Sequence, residues 1–359
     1  MSQTPTTGEL GPVVVIGAGL IGASIGMALT RAGERVHLVD ASNIHAVVAA
    51  GLGAGLVEFP RTEEIRLVVV ATPPSAVVQE VLEALELSPA AVVTDVASVK
   101  GRVLAELQTS GVDLSRYVGS HPMAGSQHAG PLTASADLFL DRTWVVCPRP
   151  ENSSEDVQRV RELALLCGAR TVEMDALDHD EAVAQVSHLP QLMSTLTAQQ
   201  LRGVDPTHLQ LAGQGVRDVT RIAASDPVMW RQIITANAGA VRHELERVRR
   251  GLDELFEVLD QPDALEAFMA RGRTAVKLLP GKHGAHPVDW EAVVVEIPDA
   301  PGALARLFVD IGEEGVNVED LSIEHDETRE VGFLSVEVSP AQAARLREAM
   351  VSKGWSLRP

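Results

Sequence analysis

The sequence predicts a chain of three parts: an α/β amino-terminal half, an all-helical middle and a small α+β module at the carboxyl end. Up to residue 177, short apolar runs rich in β-branched residues alternate with helix patterns, which is typical of a doubly wound parallel sheet. From Asp180 to Leu279, apolar positions recur at helical spacing and no strand pattern is convincing. After a turn-rich linker, strand and helix patterns follow in the order β-α-β-β-α.

These changes of pattern set the predicted boundaries. They are a disordered tail at 1–11, a first domain at 12–177, a helical domain at 178–280, a linker at 281–290 and a last domain at 291–359. The chain is 45% hydrophobic and 22% charged, as globular proteins are. Its net charge of −19 argues against nucleic acid and anionic membranes as partners.

Two cysteines, Cys147 and Cys167, form no metal-binding pattern, so we expect no metal site and a reducing compartment. The first eleven residues lack the features of a signal peptide, and no apolar run approaches membrane-spanning length. We therefore predict a cytoplasmic protein.

The first predicted strand, Val13–Ile16, leads into Gly17-Ala-Gly19-Leu20-Ile21-Gly22 and then a helix pattern. In a strand–turn–helix unit, Gly17 would form the tight turn and Gly19 would let the backbone approach a pyrophosphate. Gly22 would let helix and strand pack closely, and the helix N-terminus would attract the phosphates. This spacing also occurs in ordinary turns, so the motif needs support from elsewhere in the chain.

That support comes from the end of the second predicted strand. Asp40 follows Arg35–Val39, eighteen residues after Gly22, where a carboxylate would accept hydrogen bonds from a ribose diol. The same carboxylate would repel a 2′-phosphate, so the pattern favours NAD over NADP.

Two further strand ends carry polar side chains. Thr72 follows the apolar run Leu67–Ala71, and Ser98 follows the strand Ala90–Asp95. Ligands of parallel sheets lie beyond the carboxyl ends of the strands, so both residues fall on the side of the glycine turn. Ser98 could hydrogen-bond a substrate hydroxyl, or it could cap the helix predicted at Gly101–Gln108.

His121 ends a short predicted strand that begins at Tyr117, and it is the strongest candidate for a catalytic group. A neutral imidazole near the nicotinamide could take the proton of a substrate hydroxyl while hydride leaves the same carbon. The alternative is an ordinary turn histidine, and the residues alone leave both interpretations open.

A second group of polar residues falls in the predicted helical domain. Asp218 and Arg221 are three residues apart, so on one helix face the carboxylate could orient the guanidinium as a carboxylate-binding clamp. The alternative is an ordinary surface ion pair. Trp230 could line a pocket, or it could anchor the core or a dimer interface. The other polar motifs of this segment are Asp178-His-Asp180 and Ser187-His188-Leu-Pro190-Gln191.

Five motifs, in the same order along the chain, closely resemble the prephenate dehydrogenase family. They are Gly17-x-Gly19-x-x-Gly22, Asp95-Val-Ala-Ser98-Val-Lys100, Gly119-Ser-His121-Pro-Met-Ala-Gly125, Ser187-His188-Leu-Pro190, and Asp218-x-x-Arg221 with Pro227-x-Met-Trp230. The last domain resembles an ACT domain, with the ligand-loop signature Asp299-Ala-Pro301-Gly302-Ala303-Leu304.

The resemblance implies NAD-dependent oxidative decarboxylation of prephenate by a homodimer joined through the helical domain. It assigns His121 as the base for the ring hydroxyl, Ser98 as its neighbour, and Arg221, oriented by Asp218, as the ligand of a substrate carboxylate. The rest of the implied substrate pocket consists of Ser187, His188 and Trp230.

Two positions depart from the family pattern. Gln127 stands where members often carry an acidic residue or histidine, and Gln191 where they often carry a second histidine. A glutamine amide offers no positive charge to a keto-acid side chain, but it can accept a hydrogen bond from an ammonium group. Prephenate stays the first expectation, with arogenate as the alternative substrate.

Two other classes of protein share parts of this pattern. β-Hydroxyacid dehydrogenases use a lysine base on the helical domain, and this segment has no lysine before Lys277. A non-catalytic amino-acid sensor would rely on the ACT-like module instead. In that module Asp299, Gly302, Ala303, Leu304 and Asn317 are the expected effector site, with tyrosine as the expected effector. The alternative is a module that only assists oligomerisation.

Overall fold

The structure, a computed structural model, describes residues 10–125, 130–279, 290–298, 300–326 and 331–358. The chain divides into two compact units, one up to Leu252 and the other from Asp253 onward. This division falls inside a helix of the predicted helical domain.

A four-stranded parallel sheet forms the start of the first unit. Its strands are β1 (Val13–Ile16), β2 (Val36–Val39), β3 (Leu67–Val70) and β4 (Val92–Asp95), in the order β2-β1-β3-β4. Its helices are α1 (Leu20–Arg31), α2 (Asn43–Gly51), α3 (Val77–Leu87) and α4 (Gly101–Thr109). Alternate residues of β1 enter the cores on opposite faces of the sheet, which is why its strands are apolar throughout. Ile16, Val39, Val70 and Asp95 end their strands level with one another.

A second, three-stranded sheet follows, and it differs from the predicted run of parallel strands. It contains β5 (Gly119–Pro122), β6 (Thr143–Cys147) and β7 (Arg170–Glu173), with α5 (Ser154–Leu166) between the last two. β5 and β6 are antiparallel because no helix crosses over between them in the described part of their connection, whereas α5 makes β6 and β7 parallel. A bridge between Val93 and Tyr117 joins this sheet to β4.

The packed chain begins earlier than the predicted tail allows. Leu10 is 1% exposed and belongs to the core, and the Gly11 amide donates to the Glu34 carboxylate over 3.1 Å. The rest of the predicted tail, residues 1–9, lies outside the described residues.

The segment from Ala176 to Leu279 is helical, as predicted, and no strand occurs in it. Its α-helices are α6 (Ala176–Val183), α7 (Leu189–Gln200), α8 (Pro206–Leu209), α9 (Gln214–Thr220), α10 (Pro227–Ala236), α11 (Ala238–Val258) and α12 (Pro262–Val276). A π-helical turn at Ala184–His188 joins α6 to α7. Pro190 follows it and has no amide hydrogen for the carbonyl four residues back, which favours this break in the regular pattern. No helix in the described part of the chain is long and apolar enough to cross a membrane.

The second unit ends in an antiparallel sheet covered by two helices. The elements are β8 (Glu291–Pro298), α13 (Ala303–Glu313), β9 (Val318–Asp326), β10 (Val331–Val338), α14 (Pro340–Ser352) and β11 (Leu357–Arg358), with strand order β11-β8-β10-β9. The predicted β-α-β-β-α order is confirmed, and the short β11 is an addition to it. Val295, Leu334 and Val336 are fully buried against Leu307 and Leu346, which fixes the helices on one face.

Candidate active site

The glycine turn connects β1 with α1 and leaves open space above it. Gly17 has a φ of +101°, and a Cβ atom there would lie 2.5 Å from the Ala71 carbonyl oxygen. At Gly22 a Cβ atom would lie 1.8 Å from the carbonyl oxygen of Gly17, so only glycine fits. At Gly19 a Cβ atom would meet no described atom within 4 Å, and no described side chain caps the helix. The remaining motif residues, Leu20 and Ile21, form its first turn.

Asp40 is held beside this turn at the end of β2. One carboxylate oxygen accepts from the Ala18 amide and the other from the Ser42 amide, each over 2.7 Å. Thr72 follows β3, and its buried hydroxyl has no hydrogen-bond partner among the described residues. A glycine cradle, an oriented carboxylate and an unpartnered hydroxyl together fit a dinucleotide, and the charge of Asp40 opposes a 2′-phosphate.

A buried ionic network joins β4 to β5. The ammonium of Lys100, which is 1% exposed, pairs with the Asp95 carboxylate and donates to the Ser120 carbonyl over 2.8 Å. The Tyr117 hydroxyl donates to Asp95 over 2.6 Å. Burial and the Asp95 charge hold the pKa of Tyr117 well above its usual value, so it stays a neutral donor. This network fixes the residue that precedes His121.

His121 lies within β5 and is 9% exposed. Its Nδ1 is 2.9 Å from Nε2 of His179, and the two rings meet edge to face with centroids 5.1 Å apart. Nδ1 of His179 is in turn 2.9 Å from the carboxylate of Asp180. The structure therefore places three titratable side chains in one buried line, from the sheet into the helical segment.

Asp180 also caps α4. Its carboxylate oxygens accept from the backbone amides of Lys100 and Gly101, each over 2.8 Å. The alternative prediction, a Ser98 cap, is wrong, because no side chain from the helix's own N-cap region makes this bond. Ser98 instead borders a cavity of about 430 Å³ with residues of α4 and α10, so its hydroxyl can meet a ligand.

His188 is a third buried imidazole of the site, and it is 1% exposed. Its Nδ1 lies 3.3 Å from the Asn237 side-chain nitrogen, which donates over 2.7 Å to the Asp180 carbonyl. Trp230 packs edge to face on His188, with ring centroids 6.1 Å apart. The structure thus brings together two of the predicted pocket residues, His188 and Trp230, next to Asp180.

Burial keeps the imidazoles of His121 and His188 neutral near pH 7. It is the main reason why the pKa of His121 lies well below its usual value, followed by the neighbouring His179, Lys100 and His188. Burial likewise lowers the pKa of His188 to about 4, against an opposing effect of Asp180. Because Nδ1 of His121 faces His179, Nε2 is the nitrogen left to receive a proton.

Arg221 and Asp218 do not form the predicted ion pair. α9 ends at Thr220 and Arg221 opens a 3-10 turn, so the two side chains no longer share one helical face. Asp218 instead accepts from the Gln214 side chain over 2.7 Å. Arg221 is exposed, and its turn is held to α7 by a 3.1 Å bond from the Ala223 amide to the Ser194 hydroxyl.

Two of the three remaining predicted pocket residues, Gln191 and Ser187, lie on or next to α7. Gln191 is 6% exposed on α7, one turn after His188, and Ser187 is half-buried in the π-helical turn. Gln127 lies outside the described residues.

In the carboxy-terminal module, Gly302 has a φ of +85° and is the N-cap residue of α13, and no described atom lies within 4 Å of where a Cβ atom would be. Ala303 and Leu304 pack against the module core, and Asn317 is exposed before β9. Asp299, the fifth predicted residue, lies outside the described residues.

The residues that sequence reasoning missed are those that act through distant partners. In the sequence, His179 and Asp180 stand only at the start of the predicted helical segment, Lys100 stands only within a motif, and nothing marks Asn237. One feature of the sequence could have indicated them: His179 and Asp180 are polar residues on the face of an amphipathic helix that is buried, and buried polar groups need hydrogen-bond partners.

Comparison with known proteins agrees with this geometry. The sequence model of one protein family, the nucleotide-binding domain of prephenate dehydrogenase, matches residues 25–173. A second family model, the dimerization domain of prephenate dehydrogenase, matches residues 175–271. A Streptomyces niveus protein described as a probable prephenate dehydrogenase is 34% identical over 355 residues, covering 95% of this chain and 98% of that protein.

Two crystal structures share the fold of most of the chain. Prephenate dehydrogenase from Aquifex aeolicus, in complex with hydroxyphenyl propionate and NAD+, is 25% identical with a TM-score of 0.66, covering 74% of this chain and 96% of that one. Arogenate dehydrogenase from Synechocystis is 26% identical with a TM-score of 0.64, covering 74% and 99%. The chain therefore belongs to the prephenate dehydrogenase family of NAD-dependent oxidoreductases.

Proposed function

We propose that this chain catalyses the NAD-dependent oxidative decarboxylation of prephenate to 4-hydroxyphenylpyruvate, with His121 as the base. The observation that carries the proposal is His121 itself: a buried, neutral imidazole with one nitrogen engaged by His179 and the other left to accept a proton. It lies on the sheet that follows the dinucleotide site, and the helical segment packs against it.

In the proposed reaction, Nε2 of His121 accepts the proton of the ring hydroxyl while the hydrogen on the same carbon leaves as hydride. NAD, when bound by the glycine turn and Asp40, accepts that hydride. The ring carboxylate departs as carbon dioxide, its bonding electrons complete the aromatic ring, and His121 returns its proton to the phenolic oxygen. Aromatisation makes the step downhill, so the protein mainly positions the reacting groups.

Two kinds of side chain are proposed to bind the substrate. Arg221 would bind a carboxylate, since an exposed guanidinium free of an ion pair with Asp218 can turn toward a ligand. His188 and Trp230 would form an uncharged wall, because the low pKa of His188 leaves its imidazole neutral. Ser98, Ser187, Gln191 and Gln127 are proposed to line the pocket, and Ser98 would share the ring hydroxyl with His121.

Arogenate is the second candidate substrate, and the buried, neutral Gln191 is the reason. An amide oxygen accepts a hydrogen bond from the ammonium group of arogenate but gives no charge to the keto acid of prephenate.

The direct test follows NADH absorbance with purified protein, offering prephenate and arogenate with NAD and NADP in turn. We expect turnover with NAD and a higher kcat/KM for prephenate. His121→Asn should lower kcat by about a hundredfold or more with the Kd for NAD unchanged, because only the base is lost. His208→Asn, the same change at an exposed position, is the control. A protein that binds NAD but turns over neither substrate would refute the proposal.

The carboxy-terminal module is proposed to be an ACT domain that binds tyrosine as an inhibitor. The open backbone at Gly302 and the exposed Asn317 support a small-ligand site there, with Asp299, Ala303 and Leu304 as its other proposed members. Calorimetry should detect tyrosine binding that Gly302→Val weakens, and tyrosine should inhibit turnover. Inhibition that survives the removal of residues 291–359 would place the effector site elsewhere.

We further propose a homodimer joined through the helical segment, in keeping with the dimerization-domain match. Phe256 on α11 and Met269 and Val276 on α12 are more than half exposed, as an apolar dimer face would be in a single chain. Light scattering, which measures the mass of the protein in solution, tests the proposed homodimer.

A cytoplasmic location is also proposed, since Cys147 and Cys167 are buried and unpaired.

A further inference from the structure

We propose that His179 and Asp180 are positioning residues for the base: they hold His121 in the tautomer that carries its hydrogen on Nδ1 and leaves Nε2 bare. The inference deepens the proposed function, because it assumes that His121 is the base of the reaction. It concerns two residues that the family resemblance assigned no role.

The direction of each hydrogen bond follows from the only group in the line that cannot donate. The Asp180 carboxylate accepts, so the 2.9 Å contact requires a hydrogen on Nδ1 of His179. With its single hydrogen on Nδ1, the imidazole of His179 has a bare Nε2, which can only accept. The 2.9 Å contact with His121 therefore places the hydrogen on Nδ1 of His121 and leaves its Nε2 free for a substrate proton.

Asp180 is suited to this task because its carboxylate is fixed. The backbone amides of Lys100 and Gly101 donate to its two oxygens, each over 2.8 Å, and both belong to the start of α4. The positive end of that helix dipole favours a negative charge there. The side-chain nitrogen of Asn237 donates to the backbone carbonyl of Asp180, which holds the backbone in place. His179 is fully buried. These contacts fix the Asp180 carboxylate as the acceptor that faces Nδ1 of His179.

The same line offsets charge during the reaction. When His121 takes the proton of the hydroxyl it becomes an imidazolium ion in a site that excludes water. Its Nδ1–H bond to His179 then becomes charge-assisted, and the negative Asp180 lies one ring further on. This is the role that an aspartate has toward the histidine of a serine protease, with a second imidazole inserted between them.

Asp180→Asn is the first test, because it removes the negative charge at the end of the line. One Asp180 oxygen accepts from both the Lys100 amide and Nδ1 of His179, and the other accepts from the Gly101 amide, so an asparagine amide must give up one of these bonds. In either orientation His121 loses the charge that holds its tautomer and offsets its imidazolium form. We expect kcat to fall by about a hundred- to ten-thousandfold, by analogy with the serine protease aspartate, with the Kd for NAD unchanged. Asp178→Asn, at an exposed position two residues earlier, should leave kcat unchanged.

A second pair of variants tests the line even where Asp180→Asn fails to fold. His179→Gln keeps an oxygen that accepts from Nδ1 of His121, whereas His179→Leu has no polar atom. We expect the Gln variant to retain about tenfold more kcat than the Leu variant at equal Kd for NAD, because a positioning role depends on the acceptor and a packing role does not.

The deciding measurement is nitrogen NMR of histidine-labelled holoenzyme, since a bare ring nitrogen and a protonated one have different chemical shifts. The wild-type His121 signal, assigned by its loss in His121→Asn, should show a bare Nε2, and His179→Leu should show a shift toward a protonated Nε2. Unchanged nitrogen shifts and near-normal kcat in the His179 variants, with His121→Asn inactive, would overturn the positioning role alone. An active His121→Asn would overturn the proposed base as well.

Discussion

Replacing Lys100 with methionine should strongly destabilise the first unit, because it breaks a fully buried ion pair. The methionine fills similar space but donates no hydrogen bond, so Asp95, which is 0% exposed, keeps only the Tyr117 hydroxyl and the Ala97 amide. Removing one member of a buried pair costs about 3–5 kcal/mol of unfolding free energy. In a unit of this size each kcal/mol shifts Tm by about 2–4 °C, so we expect a fall of about 6–20 °C.

The assay is differential scanning calorimetry, in which the transition that NAD raises identifies the first unit. Arg102→Met on the same helix removes an exposed pair with Glu106 and should shift Tm by less than about 2 °C. The double variant Asp95→Asn/Lys100→Met removes both charges and should recover much of the loss, since replacing both partners of a buried pair is often close to neutral. A Lys100→Met shift no larger than that of Arg102→Met would refute this reasoning.

Three further outcomes follow from the site. Gly22→Ala should abolish NAD binding, measured by calorimetry, and lower Tm because its Cβ atom would overlap Gly17. Gly19→Ala should leave Tm normal, because its Cβ atom meets no described atom, but it should weaken NAD binding, because the added atom stands where the cofactor approaches. Asp40→Ala should raise kcat/KM with NADP relative to NAD by about tenfold or more, because a charge that repels the 2′-phosphate is lost; an unchanged ratio would contradict the cofactor assignment. Denaturant unfolding should show stability falling between pH 6.5 and about 4, where the unfolded but not the folded chain protonates His188. The contribution of this residue is about 3 kcal/mol at most, and His188→Gln should flatten the profile.

Features that depend on neighbours in sequence were predictable. Local sequence predicts the glycine turn, the aspartate Asp40 at a strand end and the apolar strands. The residues that set turn geometry, strand burial and the approach of the cofactor all lie within about thirty residues of one another. The same holds for the β-α-β-β-α order of the last module.

Features that depend on distant partners were not. The i,i+3 spacing of Asp218 and Arg221 predicts an ion pair only while the helix continues, and it ends at Thr220. β5 pairs antiparallel with β6 because of the connection between them, which strand patterns do not report.

The sequence by itself predicted the glycine turn with Asp40 beside it and the helical middle, and its family resemblance singled out His121 as the candidate base. Only the tertiary structure decided how that histidine is held. The cap of α4 comes from Asp180, eighty residues away, and the ring that faces His121 comes from His179, fifty-eight residues away. Contacts of this range leave no local period, because they form only when packing removes water from polar groups that must then find partners.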